Sequence, residues 1–144
     1  RQLRTLAVHA LLPLYAERAD RDAVETLLEY AAPGGNTLAG IRKALLPARG
    51  SKVLKAYSRV LSDSERDAAW RYLLLDVLTT WKDEGADALI LGLLTDEDPV
   101  LVSAALEALG NSGRGHLVRK LEPYLRGEHP LVLREALIAQ KYLL

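Results

Sequence analysis

The chain reads as an all-α solenoid of antiparallel helix pairs with a period of about 31 residues, four pairs followed by one terminal helix. Three observations carry this reading. Asp98, Pro99, Ala105, Leu106 and Ala108 recur as His129, Pro130, Ala136, Leu137 and Ala139, each 31 residues further on. Asp67, Trp70, Leu74, Leu75 and Leu78 precede Asp98, Leu101, Ala105, Leu106 and Leu109 by the same interval, so the phase holds over three units. Finally, apolar residues fall at helical spacing between Pro, Gly, Asp and Asn punctuation, the pattern of short amphipathic helices joined by turns.

The first helix covers about Leu3 to Ala16, with Leu3, Leu6, Ala7, Ala10, Leu11 and Leu14 as its apolar stripe and a bend expected at Pro13. Asp20 precedes a second, whose stripe is Val24, Leu27, Leu28 and Ala31 and which stops at Pro33-Gly34-Gly35. Asn36 is placed as the N-cap of a third, Thr37 to Leu46, ended by Pro47 and Gly50. The fourth runs from Ser51 to Leu61 on Val53, Leu54, Tyr57, Val60 and Leu61. Ser64 to Asp67 has the form of a capping box and opens a long fifth helix reaching Thr80. The sixth covers Gly85 to Leu94. Asp98 and Pro99 give the seventh an N-cap and a first-position proline, with Gly110 where a left-handed residue is wanted. The eighth spans His116 to Leu125, and the ninth, Pro130 to Leu144, is the first half of a unit without its second half.

Asp98-Pro99-x-Leu101-x-x-x-Ala105-x-x-Ala108-Leu109-Gly110-x-x-Gly113 resembles the short HEAT-type repeat first named after phycobilisome lyases. Asp20-x-x-Ala23-Val24-Glu25-x-Leu27-Leu28 resembles that repeat's second helix. The resemblance is closest over Asp63 to Leu144. Residues 1–144 are then one HEAT-like, armadillo-like helical domain, an excerpt of a longer chain. It implies that the Asp-Pro helices line a concave face on which residues between the packing positions are free to vary. The arginine usual after the branched apolar position is kept as Arg71, but Val102 and Leu133 stand there in the next units.

On that phase the partner-binding face comprises Tyr72, Leu73 and Asp76 in one unit, Ser103, Glu107 and Asn111 in the next, and Arg134, Glu135, Ile138 and Lys141 in the last. Tyr72, Leu73 and Ile138 make an apolar strip along it, of the kind that marks a partner. Charge supplies a second feature. Between Glu29 and Asp63 lie six cations and no acid, and Arg42, Lys43, Lys52, Lys55 and Arg59 form a candidate basic patch. From Asp63 through Glu107 there are eleven acids and three cations. The solvated reading of both is that Lys52, Lys55 and Arg59 line one wet helix face and that the acids sit at helix starts, where the macrodipole favours them.

The totals exclude several function classes. With 49% apolar and 26% charged residues the chain is an ordinary globular sequence, and a formal net charge of zero gives no global field toward nucleic acid or membrane. No cysteine means no disulfide, thiolate metal site or cysteine nucleophile. No apolar run is longer than Ala88 to Leu91, against the roughly 20 residues of a spanning helix. His9, His116 and His129 are scattered without metal-ligand spacing, and G-x-S-x-G is absent.

The expectation is therefore a non-catalytic module, not an enzyme, with no cofactor and no metal, placed in the cytoplasm and presenting a concave helical surface as a scaffold for a protein or peptide. The alternatives are binding of a nucleic-acid backbone through the 42–59 region, which predicts a steep salt dependence, and a structural segment inside a larger repeat protein. Leu143-Leu144 ends the last helix on apolar residues, so self-association through that helix is a further expectation.

Overall fold

In the structure, a computed structural model, residues 2–110 and Arg119 are described. All regular structure among them is helical: α1 (Gln2–Ala10), α2 (Leu12–Arg18), α3 (Arg21–Tyr30), α4 (Leu38–Leu45), α5 (Ser51–Leu61), α6 (Ala68–Thr79), α7 (Glu84–Gly92) and α8 (Pro99–Gly110). Apart from Arg119, the eighth and ninth helices expected from the sequence lie outside the described residues, as does the self-association assigned to the last. The first residues of α6 and α8 stand 31 apart, and the next interval, to Pro130, also falls outside them. The chain divides into two compact units, Arg1–Val77 and Leu78–Leu144.

In the first unit the bend expected at Pro13 splits one helix into α1 and α2. Proline has no N–H to give to the His9 carbonyl, and the regular path breaks at Leu11, although the Leu11 N–H still bonds the Ala7 carbonyl at 3.1 Å. Asp20 caps α3, its Oδ1 accepting the Ala23 N–H at 2.8 Å. That bond, with Arg18 beside it, holds the Asp20 carboxyl below its ordinary range. Two other starts differ from expectation. Asn36 does not cap; Gly35–Thr37 forms a 3-10 turn, and the Thr37 hydroxyl donates to the Gly34 and Ala32 carbonyls. The Ser64 box lies in a turn, and Asp67 opens α6 instead, accepting the Ala69 N–H at 2.9 Å.

α2 packs on α4, and α3 packs on α5, so alternate helices stack as a repeat array requires. Val24, Leu27, Ile41, Leu45, Tyr57 and Leu61 of these helices, and Leu74 of α6, are each fully or almost fully buried. Arg71 is buried as well, and its guanidinium donates to the Leu61 carbonyl at 3.0 Å, satisfying an acceptor at the end of α5. Arg66 closes the same end of the α3 layer, donating to the Leu28 carbonyl while its guanidinium lies over the Trp70 ring. The α1–α2 stripe departs from expectation. Only Val8 of α1 is buried, while Leu3, Leu6, Leu11 and Leu14 are exposed, because no described element covers their side of the helix.

The second unit carries α7 and α8 packed on each other, with a 3-10 turn, Leu93–Thr95, against α8. Asp83 caps α7 through the Ala86 N–H at 2.8 Å, and Asp98 accepts the Val100 N–H at 2.9 Å ahead of Pro99, the start read from the sequence. Gly110 is the last residue of α8 and is helical rather than left-handed. Trp81, Ile90, Leu101, Ala105, Leu106 and Leu109 are buried here.

Candidate functional site

Helices packed from more than one side have little surface left, and what remains open on α6 and α8 is a single line of residues on each. On α6 every residue from Trp70 to Leu78 is buried except Tyr72, which is half-buried, and Asp76, which is exposed. On α8 the open positions are Val100, Ala104 and Glu107, with Leu101, Val102, Ser103, Ala105 and Leu106 buried between them. Two assignments to the partner face are corrected by this. Leu73 retains 4% exposure and Ser103 retains 5%, each one position off the open line and buried. The apolar strip expected from Tyr72 and Leu73 reduces, among the described residues, to the Tyr72 ring. Asn111, Arg134, Glu135, Ile138 and Lys141 lie outside the described residues.

In the first unit the open line of α6 meets α4. Arg42 Nε donates to Asp76 Oδ2 at 2.6 Å, tying two helices together across 34 residues of sequence. Tyr72 stands one turn before Asp76 on the same side of α6. Arg42, expected in the basic patch, thus belongs to this second surface. Its pairing with Asp76 was not legible from spacing, because neither residue lies within helical reach of the other in sequence. Lys43, next along α4, is exposed.

The remaining basic residues gather on the other layer. Lys52, Lys55 and Arg59 fall at i, i+3 and i+7 on α5, and with Arg21 and Glu25 of α3 they line an open hollow of about 580 Å³. Arg21 was missed by the sequence reading. No spacing signals it: an offset of 31 would lay the buried Val24 and Leu28 on the exposed Lys55 and Arg59, so Arg21 and Lys52 do not hold equivalent places and meet only through the packing of α3 on α5. Glu25 takes an ion pair from Arg59 and another from Arg21 at 3.4 Å. Lys52 and Lys55 make no ion pair among the described residues, while Asp20 and Asp22 lie beside Arg21 and Lys52. Among the described residues no aromatic side chain lines the hollow, and Tyr57 of α5 is fully buried.

His9 has a structural place, its Nε2 accepting the Ala32 N–H at 3.0 Å. Trp70 and Trp81 are both buried. Among the described residues no three His, Asp or Glu side chains converge as metal ligands would, and no helix is long and apolar enough to cross a membrane.

No family model matches the chain, and no curated protein matches it. Among solved structures it is similar to human deoxyhypusine hydroxylase in complex with glycerol, with a TM-score of 0.65 and 22% identity over 89% of this chain and 43% of that one. At that identity the likeness shows the fold, a HEAT-like array of helix pairs, and the chain spans less than half the length of the protein it matches. It also corrects one expectation. The absence of cysteine, of metal-ligand histidine spacing and of G-x-S-x-G led to the expectation that the chain is not an enzyme, yet the protein whose fold it resembles is one.

Proposed function

We propose that this chain docks a protein or peptide on the open side of α4 and α6, with Tyr72 as the anchor and the Arg42–Asp76 pair as the polar contact beside it. The observation that carries the reading is the placement of these three side chains. On α6 the half-buried Tyr72 and the exposed Asp76 stand among buried positions from Trp70 to Leu78, and Arg42 joins them from α4 beside the exposed Lys43. Tyrosine and arginine are the residue types that concentrate binding energy in interfaces, since a rigid ring and a planar fork lose little freedom on contact. The array belongs, on this proposal, to the short repeats named after phycobilisome lyases, supported by the Asp98-Pro99 start and the buried Leu101, Ala105, Ala108 and Leu109.

The test is selection of binders from a random peptide library, followed by titration against Tyr72→Ala and Arg42→Glu. A tenfold or greater loss of affinity in both supports the proposal, as about 1.4 kcal/mol per tenfold is within the range of one anchor residue. Selected peptides that bind both variants unchanged contradict it.

A second reading is favoured by the cationic hollow: phosphate groups of a nucleic-acid backbone held by Arg21, Lys52, Lys55 and Arg59. Without an aromatic in the lining, such binding would read charge alone, fall steeply with salt and be lost in Lys52→Glu/Lys55→Glu. The Glu25, Asp20 and Asp22 carboxylates beside it make this the weaker reading.

A further inference from the structure

The charges along the groove between α3 and α5 come in a fixed order. Arg21 stands by Lys52 at one end and Leu28 by Val60 at the other, so the two helices run in the same direction. Asp20 and Asp22 line the groove where it begins, beside Arg21 and Lys52. The cationic hollow comes next, with Lys55 and Arg59 around Glu25. Beyond it a third hollow, of about 420 Å³, is lined by Glu29 and Asp63 over a floor of Leu28, Ala56 and Val60. The order is acid, base, acid.

Part of this charge is answered within the chain. Glu25 takes ion pairs from both Arg21 and Arg59, and Asp20 pairs with Arg18. Asp22, Lys52, Lys55 and Asp63 are exposed and make no ion pair among the described residues, so these four set what a ligand has to bring. Lys52 and Lys55 stand about 4.5 Å apart along the axis of α5. Two cations so close match a dianion better than a single carboxylate, and a phosphoryl group brings nearly two charges and three acceptor oxygens. A nucleic-acid strand would bring a run of phosphates, and those on either side of the hollow would fall against Asp22 and Asp63. A single phosphoryl group meets neither.

We propose that the α3–α5 groove binds a phosphorylated side chain of a polypeptide whose flanking residues are basic, with the phosphoryl group on Lys52 and Lys55 and a cation of the peptide on each of Asp22 and Asp63. This rests on the cationic hollow of the second reading and narrows its anion from a backbone to one group; it does not depend on the α4–α6 surface. The occupant is a polypeptide rather than a free phosphate ester because the groove continues past the lysines over Leu28 and Val60. From Lys55 to Asp63 is roughly 10 Å along the helix and its last turn, which about three residues of extended chain span. A carboxylate-rich peptide would meet the same acids at both ends that a nucleic acid meets.

The test is fluorescence anisotropy with a short labelled peptide carrying a central phosphoserine, arginine three residues to either side and alanine between, a symmetric pattern that makes the direction of binding immaterial. Saturable binding that weakens at least about tenfold without the phosphate, and as much in Lys52→Ala/Lys55→Ala, is the expected result. Asp22→Asn/Asp63→Asn weakens it about threefold, and leaves unaffected a phosphopeptide with alanine in place of the arginines. The substituted positions are exposed, so each variant keeps a cooperative helical melt, and Tyr72→Ala binds the phosphopeptide as the unmodified chain does. Equal binding with and without the phosphate overturns the proposal, as does binding unchanged in the lysine variant or lost in Tyr72→Ala. So does single-stranded DNA that binds more tightly than the phosphopeptide at physiological salt, which restores the nucleic-acid backbone. Free phosphoserine that binds as tightly as the peptide overturns it too, and makes the hollow a site for a small phosphate ester.

Discussion

α1–α2 and α3 carry the same kind of sequence and end in opposite surroundings. Leu3, Leu6, Leu11 and Leu14 repeat at helical spacing as plainly as Val24, Leu27 and Leu28 do, yet the first set is open and the second is sealed. Periodicity records that a helix has an apolar side; it does not record what lies against that side. α3 gains its cover from α1, α2 and α5, elements on both sides of it in the stack, whereas α1–α2 has α3 and α4 on one side only. In a repeat array burial is a property of the neighbour, and the leucine pattern alone cannot supply it.

Mutations break the comparison at its two ends. Leu27→Ala opens a cavity in sealed packing and should cost about 2–5 kcal/mol in urea unfolding. A smaller loss is expected from Arg71→Met, which leaves the buried Leu61 carbonyl without its donor, about 1–3 kcal/mol by the same measurement.

Two pH effects sharpen the account of the α3–α5 side. Burial pushes the Tyr57 phenol up from its ordinary value of 10.0, so the folded state favours the neutral ring. The resulting stability is complete below pH 10.0 and falls as pH rises past it. Tyr57→Phe should flatten that alkaline decline in thermal melts. Asp20 has the opposite sign. Its carboxyl is depressed by the Ala23 N–H and by Arg18, so its contribution is present above the ordinary 3.8 and lost as pH falls below it. Asp20→Asn should weaken the acid limb of the melting profile without touching the alkaline one. The smallest effect belongs to the open stripe, where Leu6→Ala should change the stability by no more than about 0.5 kcal/mol.

Much of the fold is legible in the residues. The Pro13 bend, the Asp20 cap, the stop at Pro33 and the Asp98-Pro99 start are local effects of missing donors and well-placed carboxylates, and local chemistry is written in local sequence. The site was harder to read. Leu73 and Ser103 fall on an open face when the phase of the resembling repeat is applied, which leaves the positions between its packing residues free, but α6 and α8 are packed over most of their circumference. Between Trp70 and Leu78 only Tyr72 and Asp76 escape that packing, and between Leu101 and Gly110 only Ala104 and Glu107 do. The Arg42–Asp76 pair joins residues 34 apart in different helices, and the regrouping of Lys52 and Lys55 with Arg21 depends on how α3 and α5 stack. Such contacts are fixed by tertiary packing, which charge runs along the chain do not encode.

The claim that α4 and α6 form the docking side is tested most directly by hydrogen exchange on the chain with and without a peptide selected for binding. Protection confined in this unit to Leu38–Leu45 and Ala68–Thr79, and absent with Tyr72→Ala, is the predicted result. Protection that falls instead on Arg21–Tyr30 and Ser51–Leu61 would contradict it and move the binding surface to the cationic hollow.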